Sequence, residues 1–247
     1  MHAKIKGLVI KEKLKGESGK ILTLLTDTLG VINVNAKGVQ KISAAYLKSA
    51  QLFAFSEMLL YEKNGYYTLT EANLITDFYS IRENVTSYAE ACYICEAGAS
   101  FAVPGEDNND ILRLVLNCLY ALEKNLASHK KIKSAFELKL CAETGFLLET
   151  DECAYCGRKL ENSVFFNENE GAFACSQCAD LSGENLKNIK SDVIKAVSHI
   201  MNSEQKSMLS FSLPEKDMNE LSEFSEKYLL TCAERNFQTL KFLKTLM

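Results

Sequence analysis

Residues 30–38 read Gly-Val-Ile-Asn-Val-Asn-Ala-Lys-Gly, and this stretch decides the fold class of the N-terminal part of the chain. Ile32, Val34 and Ala36 alternate with two asparagines, which is the period-two pattern of a strand with one buried face. Four further strand-like runs surround it, at 8–10, 21–26, 52–61 and 66–74. The pair Asn64-Gly65 separates the last two runs and predicts a tight hairpin. Five short strands, with a helix after the third, predict a small barrel of the OB-fold type.

From about residue 79 the apolar pattern changes to the helical period of 3.6 residues. The apolar face between Ile111 and Leu126 predicts an amphipathic helix with Asp110 as its N-cap. Further helices are predicted at 82–101, 131–144, 190–203 and 215–232, and Gly145 follows the 131–144 helix as a C-terminal cap. The sequence therefore predicts an α+β multidomain protein. Its expected parts are an OB-fold domain at 1–78, a helical domain at 79–149 and 181–247, and an inserted zinc-binding motif at 150–180.

Four cysteines form the most specific motif of the chain. They are Cys153, Cys156, Cys175 and Cys178, with the spacing C-x2-C-x18-C-x2-C. Each pair can form a tight knuckle that turns two sulfurs toward one ion, and two knuckles complete the closed tetrahedron of a structural zinc site. Gly157 follows the second sulfur, where a positive φ relaxes the turn. The alternatives are cysteines buried by chance, a redox-active CxxC pair and an iron–sulfur cluster. The remaining cysteines include Cys118, Cys141 and Cys232, which fall on apolar helix faces and are interpreted as core residues.

The distribution of charge separates a basic N-terminal segment from an acidic remainder. Residues 1–50 contain nine lysines and three acidic residues, a net charge of +6, which leaves −10 for the rest of a chain whose net charge is −4. This asymmetry favours an anionic partner for the basic segment, with a solvated lysine-rich surface as the alternative. The candidate DNA contacts are chiefly Lys37, Lys41 and Lys48, followed by Lys20 and Lys11.

Other residues allow two interpretations each. Aromatic rings at Tyr46, Phe53 and Tyr67 can stack on bases, but filling the barrel is the favoured interpretation. The basic run of Lys130, Lys131 and Lys133 is interpreted as a solvated helix start rather than a DNA contact.

Several functional classes find little support in the sequence. No run approaches the roughly 18 apolar residues of a membrane span, and the N-terminus shows no secretory signal, so a cytoplasmic location is expected. The segment Gly16-Glu-Ser-Gly19-Lys20 lacks the spacing of a phosphate-binding loop. The chain has only three histidines, and none has an obvious nucleophile or metal ligand nearby in sequence. The protein is therefore predicted not to be an enzyme.

Several strings along the sequence match those of a known protein family. The matching strings lie at 7–10, 16–26, 30–32, 36–38, 52–55, 136–140, 144–146 and 235–243. In this order, and with the four cysteines in the expected gap, the chain resembles the RecO family of bacterial DNA repair proteins. Two departures are visible. Several basic residues usual after positions 37–38 are replaced by Val39-Gln40-Lys41-Ile42-Ser43, and a proline usual before the first knuckle is missing from 147–152.

The resemblance implies a mediator of recombinational repair. Such a protein binds single- and double-stranded DNA, anneals complementary strands and acts with RecR, and in many bacteria RecF. Together they load the RecA recombinase onto strands coated by single-stranded-DNA-binding protein, whose acidic tail is recognised. Arg235 and Lys241 are candidate anchors for that tail, although ordinary surface charge is the favoured interpretation of each. A nucleoid-associated location follows from the same resemblance. The alternative function is a zinc-stabilised OB-fold adaptor that binds only proteins.

Overall fold

The structure is a computed structural model that describes residues 1–17, 19–37, 44–160, 164–179 and 186–246, with only the backbone described for 44–46. The chain divides into two compact units. The first comprises Met1–Asn125 together with Phe237–Met247, and the second comprises Leu126–Asn236. The domain boundaries at 78, 150 and 180 stay predictions from the sequence.

A closed five-stranded barrel forms the core of the first unit. Its strands are β1 (His2–Lys15), β2 (Gly19–Thr26), β3 (Val31–Ala36), β4 (Ala54–Lys63) and β5 (Tyr66–Asp77). They are hydrogen-bonded in the order β1-β2-β3-β5-β4, and the long β1 closes the barrel because it pairs with both β2 and β4. A short parallel contact joins β3 to β5 where Val34 lies opposite Tyr67. The predicted OB-type barrel is confirmed.

Side chains from alternate positions along the strands fill the interior of this barrel. Leu22, Leu24 and Val34 are fully buried in its interior. Thr23 and Asn33 lie opposite each other on β2 and β3 and face outward, where their side chains form a hydrogen bond of 2.9 Å. Period-two sequence thus produces one apolar and one polar face. The hairpin between β4 and β5 is formed by Asn64 and Gly65 with φ of 54° and 77°, values that an Asn-Gly turn adopts readily.

Helices make up most of the remaining described structure. They are α1 (Ala44–Ser49), α2 (Val85–Phe101), α3 (Asn109–Glu123), α4 (His129–Glu143), α5 (Ser176–Ala179), α6 (Ser191–Asn202), α7 (Glu215–Ala233) and α8 (Gln238–Leu243), with a 3-10 helix at Tyr79–Glu83. In the first unit α2 packs against α3 and α8. A Cβ on Gly98 would lie only 2.6 Å from Cγ2 of Val115, so the close approach of α2 and α3 requires glycine there.

The ends of two helices test the predicted caps. Asp110 is not the N-cap of α3, because that helix begins one residue earlier and Asn108 occupies the capping position. The Asp110 carboxylate instead pairs with Arg113 at 2.6 Å. After α4, Gly145 adopts a φ of 93°, and its N–H donates to the carbonyl of Ala142, as expected of a C-terminal cap.

The second unit joins α4, α6 and α7 to a small antiparallel sheet. Its strands are β6 (Val164–Asn167), β7 (Ala172–Cys175) and β8 (Leu186–Ile189), in the order β7-β6-β8. An aromatic cluster attaches this sheet to α7, because Phe166 meets Phe224 edge-on at 4.9 Å between ring centroids and Phe173 stacks on Phe224 at 5.8 Å. The cluster gives the cysteine-bearing segment a rigid apolar support.

Lys133 does not lie in a solvated helix start, and that interpretation is wrong. Its side chain is 3% exposed, and its ammonium lies 2.8 Å from Glu137 and 3.0 Å from Glu226. The ammonium groups of Lys130 and Lys131 also donate hydrogen bonds, to the Asn219 amide oxygen and the Phe211 carbonyl respectively.

Within the described ranges, none of the helices combines the length and apolar character needed to cross a bilayer.

Candidate metal centre and nucleic-acid surface

The four predicted cysteines come together in the second unit. The sulfurs of Cys153, Cys156, Cys175 and Cys178 all lie within 4.8 Å of one another, and the Cys156 and Cys175 sulfurs are 3.8 Å apart. A tetrahedron of thiolates around zinc, at about 2.3 Å from the ion, has sulfurs roughly 3.8 Å apart. The cluster therefore has the size and the donor set of a four-thiolate metal site.

Backbone hydrogen bonds shape the two knuckles. In the first, the Gly157 N–H donates to the Cys153 carbonyl at 2.9 Å, and Gly157 has a φ of 67°, as the sequence predicts. The Cys153 N–H donates to the Arg158 carbonyl at 2.7 Å, which folds the chain back on itself. In the second, β7 ends at Cys175 and α5 begins at once, so Cys178 lies one helical turn later on the same side. Both turns aim their paired sulfurs at one point.

The thiols of the cluster differ in their pKa values. Burial raises the pKa of Cys153, but backbone N–H groups of Cys175, Tyr155 and Cys156 outweigh it and bring this pKa to about 6. A backbone hydrogen bond from Cys178 is the main reason that the pKa of Cys175 is lowered. The pKa of Cys178 rises to about 12, chiefly through its hydrogen bond with the Cys156 thiol. Because metals bind thiolates, an ion would take the place of the protons that remain in the cluster.

A groove on the outer face of the barrel is the second candidate site. It has a volume of about 790 Å³ and is bordered by β1, β2, β3 and β5. Its charged and aromatic lining residues are Lys11, Glu12, Lys13, Lys15, Tyr66 and Tyr67. Tyr66 follows the β4–β5 hairpin and is 79% exposed. The outer face of strands 2 and 3, flanked by the 1–2 and 4–5 loops, is the face with which OB-folds bind oligonucleotides.

The lysines proposed from the sequence lie in different environments. Lys11 lines the groove, whereas Lys37 is exposed just beyond β3 and Lys48 is exposed on α1. The Lys20 side chain is only 11% exposed, and its ammonium pairs with Glu12 at 2.7 Å. Lys41 lies outside the described residues.

Sequence reasoning did not select Lys13, Lys15 and Tyr66, which the structure adds to Lys11 in the groove. The signal for the lysines was present, since Lys11, Lys13 and Lys15 alternate along one strand and so share a face. Among the aromatic candidates, Phe53 is fully buried and its ring meets that of Tyr88 on α2 edge-on at 5.8 Å between centroids, so it offers no face to a base. Tyr67 lies half-buried in the groove, and the side chain of Tyr46 is outside the described part of the structure.

The two candidate partner anchors belong to different units. Arg235 is an exposed residue near the end of the second unit, just after α7. Lys241 is exposed on α8, which belongs to the first unit.

A closed OB-like barrel, a helical body and a four-cysteine cluster able to hold a metal define an α+β protein of the OB-fold class with a metal-binding motif. Comparison with known proteins refines this class. Residues 1–78 match the family model "Recombination protein O N terminal", and residues 82–241 match "Recombination protein O C terminal". The chain belongs to the recombination protein O (RecO) family of DNA repair proteins.

Similar proteins carry the same description along their full length. The chain is 29% identical to "DNA repair protein RecO" of Acetivibrio thermocellus over 245 residues, which cover 99% of this chain and 97% of the relative. It is 29% identical to the protein of that name from Caldicellulosiruptor bescii over 241 residues, or 98% and 97% of the two chains. The match to the Alkaliphilus metalliredigens protein is 27% identical and covers 99% of both chains. These names describe DNA repair and state no catalysed reaction.

Proposed function

We propose that this RecO-family protein is a non-catalytic mediator of recombinational repair that binds DNA through the groove on its barrel. In this proposal it anneals complementary single strands and, with RecR and in many bacteria RecF, helps load RecA onto strands coated by single-stranded-DNA-binding protein. The observation that carries the DNA-binding part is the groove itself, where three lysines, the exposed Tyr66 and the half-buried Tyr67 lie together on the OB-fold ligand face.

The spacing of the lysines suits a charged, extended ligand. Lys11, Lys13 and Lys15 lie two residues apart on β1, so their side chains leave the strand at intervals of roughly 7 Å. Cations on such a ladder can contact successive phosphates while Tyr66 offers a ring for base stacking. The Thr23 and Asn33 side chains that also line the groove are uncharged, so the lysines supply its positive charge.

The first test compares two charge-reversed variants for binding to a fluorescent single strand. Lys13→Glu/Lys15→Glu should weaken binding at least tenfold and flatten the dependence of log affinity on log salt, since each phosphate contact contributes about −0.7 on single strands. Lys206→Glu/Lys216→Glu carries the same change of charge at exposed lysines of the second unit and should leave affinity close to wild type. Absence of binding by the wild-type chain at micromolar protein in about 50 mM salt would exclude the proposal and leave the protein-only adaptor.

Annealing and loading need a separate assay. Complementary strands should anneal faster with the wild-type protein than without it, both naked and coated by single-stranded-DNA-binding protein. Lys37→Glu in this assay tests the region that the sequence favoured, beyond the end of β3. The acidic tail of the coating protein is the proposed ligand of Arg235 and Lys241, so Lys241→Glu should impair annealing only on coated strands. A cytoplasmic, nucleoid-associated location follows from these proposed partners.

We further propose that the four cysteines hold one structural zinc ion. Four protein thiolates leave no open coordination position, so the ion would stabilise the knuckles and take no part in a reaction. Freshly purified protein should contain about one zinc per chain, and Cys175→Ser should lose the metal and lower the melting temperature. Cys118→Ser, at a buried cysteine outside the cluster, is the matched control and should keep its zinc. Zinc well below one per chain in the wild type would count against the assignment.

A further inference from the structure

Two cysteines outside the metal cluster meet at the C-terminal ends of α4 and α7. The Cys141 thiol interacts with the Cys232 thiol, which also interacts with the hydroxyl of Tyr228, one turn earlier on α7. The same hydroxyl lies 3.3 Å from the Phe146 carbonyl, just beyond the end of α4. One turn before Cys141, the Ser225 hydroxyl of α7 donates to Glu137 of α4 at 2.6 Å, which holds the two helices together beside the thiols. The two helix ends are thus held together around a pair of thiols.

The two thiols differ in accessibility. Cys141 is fully buried, whereas Cys232 is partly exposed to solvent. A reagent from solution can therefore reach Cys232 first and finds Cys141 directly behind it. This pairing of an accessible thiol with a second thiol in contact is the arrangement found where cysteines are oxidised reversibly.

The interaction between the two thiols also shifts their pKa values in opposite directions. The hydrogen bond from Cys141 is the main reason that the pKa of Cys232 is lowered, with a second contribution from Tyr228, while burial opposes both. The same hydrogen bond and then burial raise the pKa of Cys141. By contrast, burial raises the pKa of Cys95 and of Cys118, which keeps those thiols protonated and unreactive.

We propose that Cys232 and Cys141 form an oxidation site for hydroperoxides, in which Cys232 is attacked first and Cys141 resolves it to a disulfide. The Cys232 thiolate attacks one oxygen of hydrogen peroxide, the O–O bond breaks, and the departing hydroxide takes up a proton to become water. Cys232 is then a sulfenic acid. The Cys141 sulfur, after losing its proton, attacks the Cys232 sulfur, the S–O bond breaks and a second water leaves. Two thiols and one peroxide thus give one disulfide and two waters.

The disulfide would have a structural consequence. Residues 142–231 lie between the two cysteines, and this segment contains the whole four-cysteine cluster. Oxidation would close that segment into a covalent loop based on the two helices that support it. An oxidised chain should consequently lose less order on metal removal than a reduced one, because the ends of the loop stay joined.

The test treats the freshly purified full chain with limiting hydrogen peroxide and maps its peptides by mass spectrometry. The expected product has lost the mass of two hydrogen atoms and contains a Cys141–Cys232 cross-link. Cys141→Ser should instead accumulate sulfenic acid at Cys232, which dimedone traps. Cys118→Ser, as control, should still form the cross-link.

Two results would overturn the proposal. One is cross-linking confined to the four clustered cysteines while Cys232 stays reduced. The other is reaction of Cys232 with iodoacetamide in the folded wild type no faster than that of Cys118, a measurement that does not depend on any variant folding. Neither outcome bears on DNA binding or on metal content, so the proposal stands or falls apart from the proposed function.

Discussion

The ion pair between Lys20 and Glu12 shows how one residue can affect the groove without lying open to it. Glu12 is an acidic residue in the groove lining, and Lys20 neutralises it from a nearly buried position. Lys20 also reaches the Ala50 carbonyl at 3.4 Å. We therefore assign Lys20 a positioning role rather than a phosphate contact.

This role gives the first prediction at the residue scale. Lys20→Met should weaken single-strand binding roughly fivefold, because an unpaired carboxylate near a phosphate costs about 1 kcal/mol at 4 Å in water. Adding Glu12→Gln to the same chain should restore most of the affinity, as measured by fluorescence anisotropy. If Lys20 touched phosphate itself, the second substitution would restore nothing.

Tyr66 allows a second prediction at this scale. Its ring is largely exposed beside the lysine ladder, and stacking on a base contributes about 1–3 kcal/mol. Tyr66→Ala should therefore reduce affinity for a single strand by roughly five- to 150-fold, whereas Tyr66→Phe should bind like wild type. Equal loss in both variants would point to the hydroxyl and not to stacking.

At the scale of elements, α4 and α7 are joined by a buried ionic group. The Lys133 ammonium lies between Glu137 on its own helix and Glu226 on α7, and the Ser225 hydroxyl donates to Glu137 at 2.6 Å. Removing one member of such a group leaves a buried charge without compensation, which costs about 3–5 kcal/mol. The two helices are thereby fixed in one register as well as in contact.

Lys133→Met should accordingly lower the free energy of unfolding by about 3–5 kcal/mol in urea titrations. Lys130→Met removes only an exposed hydrogen bond to Asn219 and should cost about 1 kcal/mol or less. Comparable losses in the two variants would show that the buried group contributes nothing special.

The difference in stability between the wild type and Lys133→Met should also depend on pH. Burial by itself lowers the pKa of Lys133, but Glu137 and Glu226 together raise it above its ordinary value. A raised folded-state pKa gives stability that is complete below the unfolded-state value of about 10.4 and is lost as the pH rises through the folded-state value. The advantage of the wild type over Lys133→Met should stay constant from neutral pH to about 10 and shrink only above it.

Elements also show what the sequence can and cannot predict. The strands and the knuckles could be predicted from the sequence because their signals are local. Examples are the alternation in 31–36 and the cysteine pairs with a two-residue gap. The burial of Lys133 could not be predicted from the sequence. A lysine is rarely buried unless it is paired, and its partner Glu226 is distant in sequence. The groove could be predicted only in part for the same reason, because Tyr66 and Lys13 line one groove only when β5 and β1 enter one barrel.

At the scale of the whole molecule, the path of the chain is the main feature. The first unit consists of two separate stretches of sequence, because α8 returns to pack on α2 after the second unit is complete. Phe237, Leu240 and Leu243 are buried in this contact, and the Phe237 ring meets Tyr93 edge-on at 5.9 Å. The C-terminal segment is therefore part of the hydrophobic core of the barrel-bearing unit.

A deletion of residues 237–247 tests this path. Each of the three buried side chains contributes about 1.5–3 kcal/mol, so the truncated protein should unfold at a markedly lower temperature in calorimetry. Phe242→Ala, at an exposed position of the same helix, should have little effect. A fragment 1–125 should be less stable than the same fragment fused to 237–247 through a flexible linker, and equal stability of the two would show that α8 is dispensable.

The late return of α8 also bears on how the protein is made. A ribosome releases the N-terminal part of a chain first, so the barrel strands emerge early, but their unit can be completed only after the whole second unit and then α8 have been made. The second unit is contiguous and has no such delay. A chain that stops before α8 would therefore carry a finished second unit and an unfinished first.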